Sequence, residues 1–269
     1  MKSASLQGLK SRPARLLTID DQLPCPGPQF AELWQQWLDW ANAAKAPEFR
    51  AQRSCVYRRN DKALPMLNHC LKKQIEELDF SALGQDDFPA CFPSHITSLT
   101  HSLSFEQNRL TDLTAIMYSL PNTLKSLNIS SNPINNPPGR YPPYLQKLFI
   151  YNADIETLSI DFVPSLPTSL KVLDLSSNHL TSLPENISAL PAGLEMLLLI
   201  NNKFTDIPEV LFTLPASCEI YIPHNSIPAE RLQQIEARIT APDYQGPRIF
   251  RKRPVEDVLN YWWVCCMAR

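Results

Sequence analysis

The chain has 269 residues, of which 37 are Leu and 25 Pro but only 6 Gly, and its 25 basic and 27 acidic side chains leave a net charge of -2. Glycines this far apart (Gly8, Gly27, Gly84, Gly139, Gly193, Gly246) write no GxGxxG or P-loop cradle for phosphate, which excludes nucleotide enzymes of those classes. A near-neutral balance supplies no overall field for nucleic acid or an anionic membrane, so a partner has to be found by shape and local chemistry.

Residues 1–28 carry Lys2, Lys10, Arg12 and Arg15 among Ser and Pro, without the apolar stretch and small-residue cleavage site of a conventional Sec export signal. They read as disordered, and the sequons at Asn128 and Asn186 then carry no weight. Over 29–74, Phe30, Leu33, Trp34, Trp37 and Leu38 recur at helical spacing, as do Val56, Ala63, Leu64, Leu67, Cys70 and Leu71, predicting two amphipathic helices joined near Ala46 and Pro47. A stack of coils needs its first layer covered, so Trp34 and Trp37 read as cap packing in preference to a ligand-binding aromatic box.

From 75 to 228 the chain repeats itself. Leu170-Lys-Val-Leu173-Asp-Leu175-Ser-Ser-Asn178-His-Leu180 fits the leucine-rich-repeat frame LxxLxLxxNxL, and Leu194-Glu-Met-Leu197-Leu-Leu199-Ile-Asn-Asn202-Lys-Phe204 fits it again. Leu124, Leu127, Ile129, Asn132 and Ile134 make a third copy. Weaker ones run through Leu103, Phe105, Asn108 and Leu110, through Leu145, Leu148, Ile150 and Ile155, and through Ile220, Ile222, Asn225 and Ile227. Ile75, Leu78, Phe80 and Leu83 form a degenerate first coil leading to Ile96. The slots of the frame's Asn, at 108, 132, 153, 178, 202 and 225, lie 24, 21, 25, 24 and 23 residues apart.

In this frame LxL is a short strand with alternate side chains pointing inward, and the Asn turns in at its end to pair backbone groups that the bend leaves open. Ala153 breaks the ladder: either Asn152 slips into the slot through a bulge, or backbone groups are left to water. Pro-rich returns such as Leu183 to Pro191 favour extended or single-turn structure on the convex side. The expectation is an α/β fold, a right-handed solenoid of about six to seven coils. Parallel strands line its concave face, the convex returns are mostly extended, and a helical cap covers the N-terminal end. A C-terminal cap and linker follows over 229–250, with a helix from Arg231 to Ile239, and 251–269 complete the chain.

These residues resemble the bacterial type III secreted leucine-rich-repeat effectors of the IpaH, SspH, SlrP and YopM family. Trp34-Gln-Gln-Trp37 and Cys70-Leu71 are similar to that family's N-terminal hairpin, Leu78 to Leu83 to its first coil, and Leu190-Pro191-Ala-Gly-Leu194 to its style of return. Asn225-Ser-Ile-Pro228 and Ala241 to Ile249 resemble the segment that closes the solenoid and leads into a ubiquitin ligase domain. The resemblance implies a secretion signal in 1–28, type III delivery into a host cell, and residence in the host cytoplasm or nucleus. It also implies a host-protein partner on the concave face, with no nucleic acid, metal, cofactor or transmembrane segment. Arg253 to Trp262 resemble only the opening helix of the ligase domain, so 251–269 read as its remnant. No cysteine here has Asp two residues on, as the family's catalytic Cys-x-Asp motif requires, and the expectation is a truncated relative that does not itself transfer ubiquitin.

Other chemistry finds little support. The odd seven cysteines show no zinc spacing and read as reduced thiols, and the histidines show neither metal spacing nor a nucleophile partner. Palmitate or a redox switch at Cys265-Cys266 is a lesser reading, as is a basic signal at Arg251-Lys-Arg253. A receptor-like extracellular module is disfavoured by the missing Sec signal and missing paired end cysteines. The other reading is a ubiquitin ligase whose catalytic domain lies outside this chain.

The two outward positions of each strand give columns Ser104, Asn128, Phe149, Asp174, Leu198, Tyr221 and Glu106, Ser130, Tyr151, Ser176, Ile200, Pro223. Phe149, Tyr151, Leu198, Ile200 and Tyr221 place large apolar side chains on a face that folding alone leaves wet, which marks them as the candidate partner-binding residues. On that reading Phe149 and Tyr221 lie outside the core, and truncating either costs little stability.

Overall fold

The computed structural model describes residues 28–43, 58–73, 76–89 and 101–251. The readings of 1–27, of the junction near Ala46 and Pro47, of Val56, Ile75 and Ile96, and of 252–269 fall outside these.

Eight three-residue strands form one parallel sheet in chain order: β1 (Glu77–Asp79), β2 (Ser102–Ser104), β3 (Ser126–Asn128), β4 (Lys147–Phe149), β5 (Val172–Asp174), β6 (Met196–Leu198), β7 (Glu219–Tyr221) and β8 (Arg248–Phe250). The register sets Leu78, Leu103, Leu127, Leu148, Leu173, Leu197, Ile220 and Ile249 side by side. All point inward and are buried, the middle residue of every strand being Leu or Ile, so this row fixes which face is core. The last strand extends the sheet into 229–250, expected as cap and linker. Arg248-Ile249-Phe250 alternates as a strand should but has no Asn slot behind it, so the repeat frame passes over it.

Each of β1 to β7 is followed, three residues on, by a left-handed backbone position: Ala82, Gln107, Ser131, Asn152, Ser177, Asn201 and His224 all have φ between 51 and 59°. Such a conformation costs an L-residue roughly 1 to 2 kcal/mol. From Ala82 to Asn201 it is held because the amide there continues the inter-coil ladder, as in Ser131 N to Tyr151 O (2.9 Å), Asn152 N to Ser176 O (3.0 Å) and Ser177 N to Ile200 O (2.7 Å). The turn that opens each of β3 to β7 is equally regular. The carbonyls of Pro121, Pro142, Pro167, Pro191 and Pro215 accept the amides of Leu124, Leu145, Leu170, Leu194 and Cys218, three residues later, at 2.8–3.2 Å. That is the physical content of the LPxxL pattern: Pro presets φ for a tight turn that delivers the next inward side chain.

The Asn slots behave as a ladder. Asn132 Nδ2 donates to Phe105 O, Ile129 O and Ser130 O, while its Oδ1 accepts the Leu110 amide at 3.0 Å; Asn108, Asn202 and Asn225 repeat the scheme. At Ala153 neither expected outcome occurs. Asn152 stays exposed in its left-handed turn, its amide donating to Ser131 Oγ, and Ala153 is fully buried in the slot. Asn178 makes the usual rung to the preceding coil, its Nδ2 donating to Ile150 O (2.8 Å) and its Oδ1 accepting Ile155 N (3.1 Å), and the same Oδ1 also accepts Ala153 N (3.0 Å). On the other side Ile134 N turns to Asn132 O at 2.8 Å. Two neighbours thus pair the groups a missing amide would have served.

Convex returns carry single turns: α3 (Thr114–Ser119), α4 (Phe162–Ser165), and 3₁₀ turns at Glu185–Ala189 and Glu209–Thr213, with none between β3 and β4. At the N-terminal end α1 (Pro28–Ala43) packs with α2 (Leu64–Lys73), which a π-helical turn at Arg59–Ala63 precedes. Fully buried Trp37 stacks on Phe80 with ring centres 5.3 Å apart, and Phe80 on Phe105 at 5.8 Å, so the cap continues directly into the core as the sequence predicts. Buried Arg59 fixes the cap to the first coil, donating to Gln85 Oε1 (2.5 Å), Trp40 O (2.8 Å) and Asp87 Oδ1 (2.6 Å). At the other end, α5 (Ala229–Ile239) is tied down by Arg231, which bridges Asp206 and Glu209 at 2.7 Å, and by Arg238, which also pairs with Glu209 and covers the Phe212 ring.

Candidate functional site

Because the sheet is in register, its concave face is a grid. The third strand position gives the row Asp79, Ser104, Asn128, Phe149, Asp174, Leu198, Tyr221, Phe250, and the first gives Glu77, Ser102, Ser126, Lys147, Val172, Met196, Glu219, Arg248.

The polar members of the first row share a local job. Asp79, Asn128 and Asp174 each accept, through Oδ1, the amide two residues on (2.9, 3.0 and 2.8 Å), and Ser104 Oγ accepts that of Glu106 at 3.3 Å. Short oxygen-bearing side chains at the end of a strand thereby close the turn into the left-handed position. Phe149 and Tyr221 dispense with this bond because the groups it would serve are already provided for: Tyr151 N donates to Ser130 Oγ at 3.1 Å, and Pro223 has no amide.

Across β1 to β4 the face is an open polar groove of about 450 Å³, lined by Glu77, Asp79, Glu106, Lys125, Lys147 and Phe149 among others. Glu106 is held in the groove wall by Asn128 Nδ2 at 3.0 Å and by the Tyr151 hydroxyl, which donates to it. Acidic side chains gather at the β1 end and Lys125 and Lys147 at the other, so the groove carries a charge gradient along the solenoid axis.

Across β5 to β7 the third strand positions are buried, while Met196, Glu219 and Phe250 are half-buried and Arg248 is exposed. Leu198 is 2% exposed, Ile200 5% and Tyr221 3%; they form a hydrophobic cluster of their own, with Met196 and Phe250 packed against it. The Phe250 ring lies flat on Tyr221, centres 4.6 Å apart and planes 10° off parallel, and the Tyr221 hydroxyl donates to Glu219 at 2.8 Å. Asp174 is buried beside this cluster, and burial pushes its carboxyl up to about 6 against weaker opposing pulls from the Ser176 side chain and amide.

The five residues singled out from sequence therefore fall into two groups. Phe149 and half-buried Tyr151 border the polar groove, while Leu198, Ile200 and Tyr221 belong to the closed cluster. The expectation that Phe149 and Tyr221 stand in water outside any core does not hold. Phe149 is 6% exposed and Tyr221 is buried, so truncating either removes packed surface. Sequence reasoning passed over Phe250, although it stands one coil beyond Tyr221 in the same row, and Val172 and Met196, whose row it left out. Among the described residues no group of three metal-binding side chains assembles, and no helix is long and apolar enough to cross a membrane.

Residues 168–227 match the family model described as leucine rich repeat. Leucine-rich repeat-containing protein 3 of Danio rerio is 34% identical over 103 residues, 37% of this chain, which spans only 39% of that curated relative's length. The solved LRR domain of a Shigella effector is 27% identical, with a TM-score of 0.58 over 82% of this chain and 97% of that one. YopM, a leucine-rich effector protein from Yersinia pestis, is 26% identical over 72% of this chain and 60% of its own, with a TM-score of 0.46. The chain is a leucine-rich-repeat solenoid, similar in fold to the repeat domain of a bacterial effector.

Proposed function

We propose that this solenoid is the recognition module of a type III secreted effector and binds a host protein through its concave face. The observation that carries this reading is the likeness to the Shigella effector LRR domain, which extends over 97% of that domain. The open groove across β1 to β4 supports it, presenting charged and hydrogen-bonding groups such as Glu77, Asp79, Glu106, Lys125 and Lys147 to a partner. Phe149 and Tyr151 border the groove, and Leu198, Ile200 and Tyr221 lie in the buried cluster further along the same face. Delivery into the host cell, to cytoplasm or nucleus, belongs to the same reading, with 1–28 as the secretion segment.

The chain binds and does not itself catalyse: none of its seven cysteines has Asp two residues on, so the thiolate–carboxylate pair of the resembled ligases has no counterpart in it. The test is paired. Affinity capture from eukaryotic lysate with the parent chain and a Glu106→Lys, Lys147→Glu variant should return a protein that the variant, folded and equally abundant, loses. Identical capture by both removes the groove from the reading. Incubation with E1, charged E2 and ubiquitin should leave no thioester on this chain, and a reducible adduct would instead favour the ligase reading.

A further inference from the structure

The outward positions of β1 to β4 are free of the repeat's demands, yet their charges are sorted along the groove. Glu76, Glu77 and Asp79 stand exposed on the first coil with Glu106 on the next, whereas Lys125 and Lys147 stand on the third and fourth. Between the two ends the floor is Ser102, Ser104 and Ser126, half-buried side chains too small to fill the space above them. Strand spacing puts the two lysines about 10 and 14 Å from β1, beyond the Debye length of about 8 Å at physiological salt, so neither end neutralises the other. Local pairing does not neutralise the acidic end either. Among the described residues Glu77 and Asp79 have no cationic partner, and Asp79 accepts the Ser81 amide. Glu106 accepts the neutral donors Asn128 and Tyr151, and Glu76 meets the His101 imidazole at 3.4 Å.

We infer that this groove takes a partner segment that carries basic side chains over β1 and acidic side chains over β3 and β4. The inference rests on the reading of the concave face as the recognition surface and adds the charge order of what is recognised. A segment so ordered supplies counter-charge to the carboxylates at one end and to the lysines at the other. The same segment turned end for end sets like charges together at both ends, so the groove selects direction along the solenoid as well as composition. The 14 Å from β1 to β4 is the reach of about four residues of extended chain, which fixes the spacing of the two charges in a linear ligand.

Random linear peptides displayed on phage provide the test, selected in parallel on the parent chain, on a Glu76→Lys, Glu77→Lys variant and on a Lys125→Glu, Lys147→Glu variant. The parent should enrich peptides with a basic and an acidic residue about four positions apart. The first variant, basic at both ends, should enrich acidic peptides, and the second, acidic at both ends, basic ones. A parent-selected peptide, once synthesised, should bind the parent at least tenfold more weakly when its basic residues are changed to Glu, and regain that loss on the Glu76→Lys, Glu77→Lys variant. Peptides that both variants lose without any change in the charge selected would keep the groove as the recognition surface but overturn the charge order. Peptides enriched alike on all three proteins bind elsewhere and overturn the groove reading as well, and no enrichment on the parent overturns the inference. Should a reversed variant not fold, Glu77→Gln and Lys125→Gln remove one charge each. Each should relax, several-fold, only the selection for its own opposite charge, and an unchanged selection refutes the inference.

Discussion

The β1 to β4 and β5 to β8 halves of the concave face are built on the same repeat, and the contrast between them separates what a repeat dictates from what it leaves free. The repeat dictates the inward rows, Leu at nearly every middle position, and the turn chemistry at both strand ends. The outward rows are under no such constraint. In the first half they hold short oxygen-bearing residues that close their own turns and leave a wet, charged groove; in the second Leu198, Ile200 and Tyr221, with Met196 and Phe250 against them, make a second small core on the outward side of the sheet. Outward burial is thus a property of the tertiary arrangement and carries stability, while on the proposed reading outward exposure carries recognition.

That contrast is best broken by truncation on either side of it. Tyr221→Ala and Leu198→Ala should each lower stability by roughly 2 to 4 kcal/mol in chemical denaturation, because packed apolar surface and the stack on Phe250 are lost. Glu106→Ala, in the groove, should cost less than about 1 kcal/mol, since its partners Asn128 and Tyr151 reach water when it is gone. Equal losses in both halves would erase the distinction.

The Asn ladder sharpens it next. Asn178 accepts one buried amide more than the other rungs, that of Ala153 beside that of Ile155, so Asn178→Ala should cost more than Asn202→Ala, roughly 3 kcal/mol against 2, by leaving both amides buried together. Matching melting shifts for the two variants would mean that water pairs those amides.

Asp174 marks the boundary between halves and makes the contrast pH-dependent. Its carboxyl titrates near 6 in the fold against an ordinary 3.8, so between those values the folded state holds a proton the unfolded state has released, and stability falls as pH rises through this window. Asp174→Asn keeps an oxygen for the Ser176 amide, removes that slope, and should stabilise the protein at pH 7 by about 1 to 3 kcal/mol. A variant that is less stable than the parent at pH 7, or that keeps the slope, would show that the carboxylate is solvated.

The smallest effect is expected at the C-terminal cap. Hydrogen bonds from Arg231, then from Arg238, hold Glu209 below its ordinary range, so its contribution is present above that range and lost as pH falls through the lowered value. The pair is largely exposed, and Glu209→Gln should change stability by less than about 1 kcal/mol, with a melting curve that no longer depends on salt at this site.

Most of the solenoid was legible in the sequence because its signals are local and repeated. Leu spacing gives the inward rows, Pro-x-x-Leu gives the turn before each strand, and Asn gives the ladder. What escaped has a non-local cause. Arg248-Ile249-Phe250 is too short to announce a strand without a slot behind it and becomes one by pairing with β7. Ala153 looked like a broken rung because the compensating group, Asn178, lies 25 residues away. For the candidate site, the sequence identified which outward residues are unusual but not their setting: a large apolar side chain in an outward column reads alike whether water or protein lies above it.

Tyrosine reactivity along the native chain tests that division most directly. Tyr118 and Tyr144 are 65% and 59% exposed, Tyr151 is half-buried, and Tyr221 is 3% exposed. Under limiting radical or nitrating reagent, with sites mapped by mass spectrometry, Tyr118 and Tyr144 should label first, Tyr151 later, and Tyr221 only when the protein unfolds. Labelling of Tyr221 at the rate of Tyr118 in the native state would contradict the account, because the concave face would then be open from end to end.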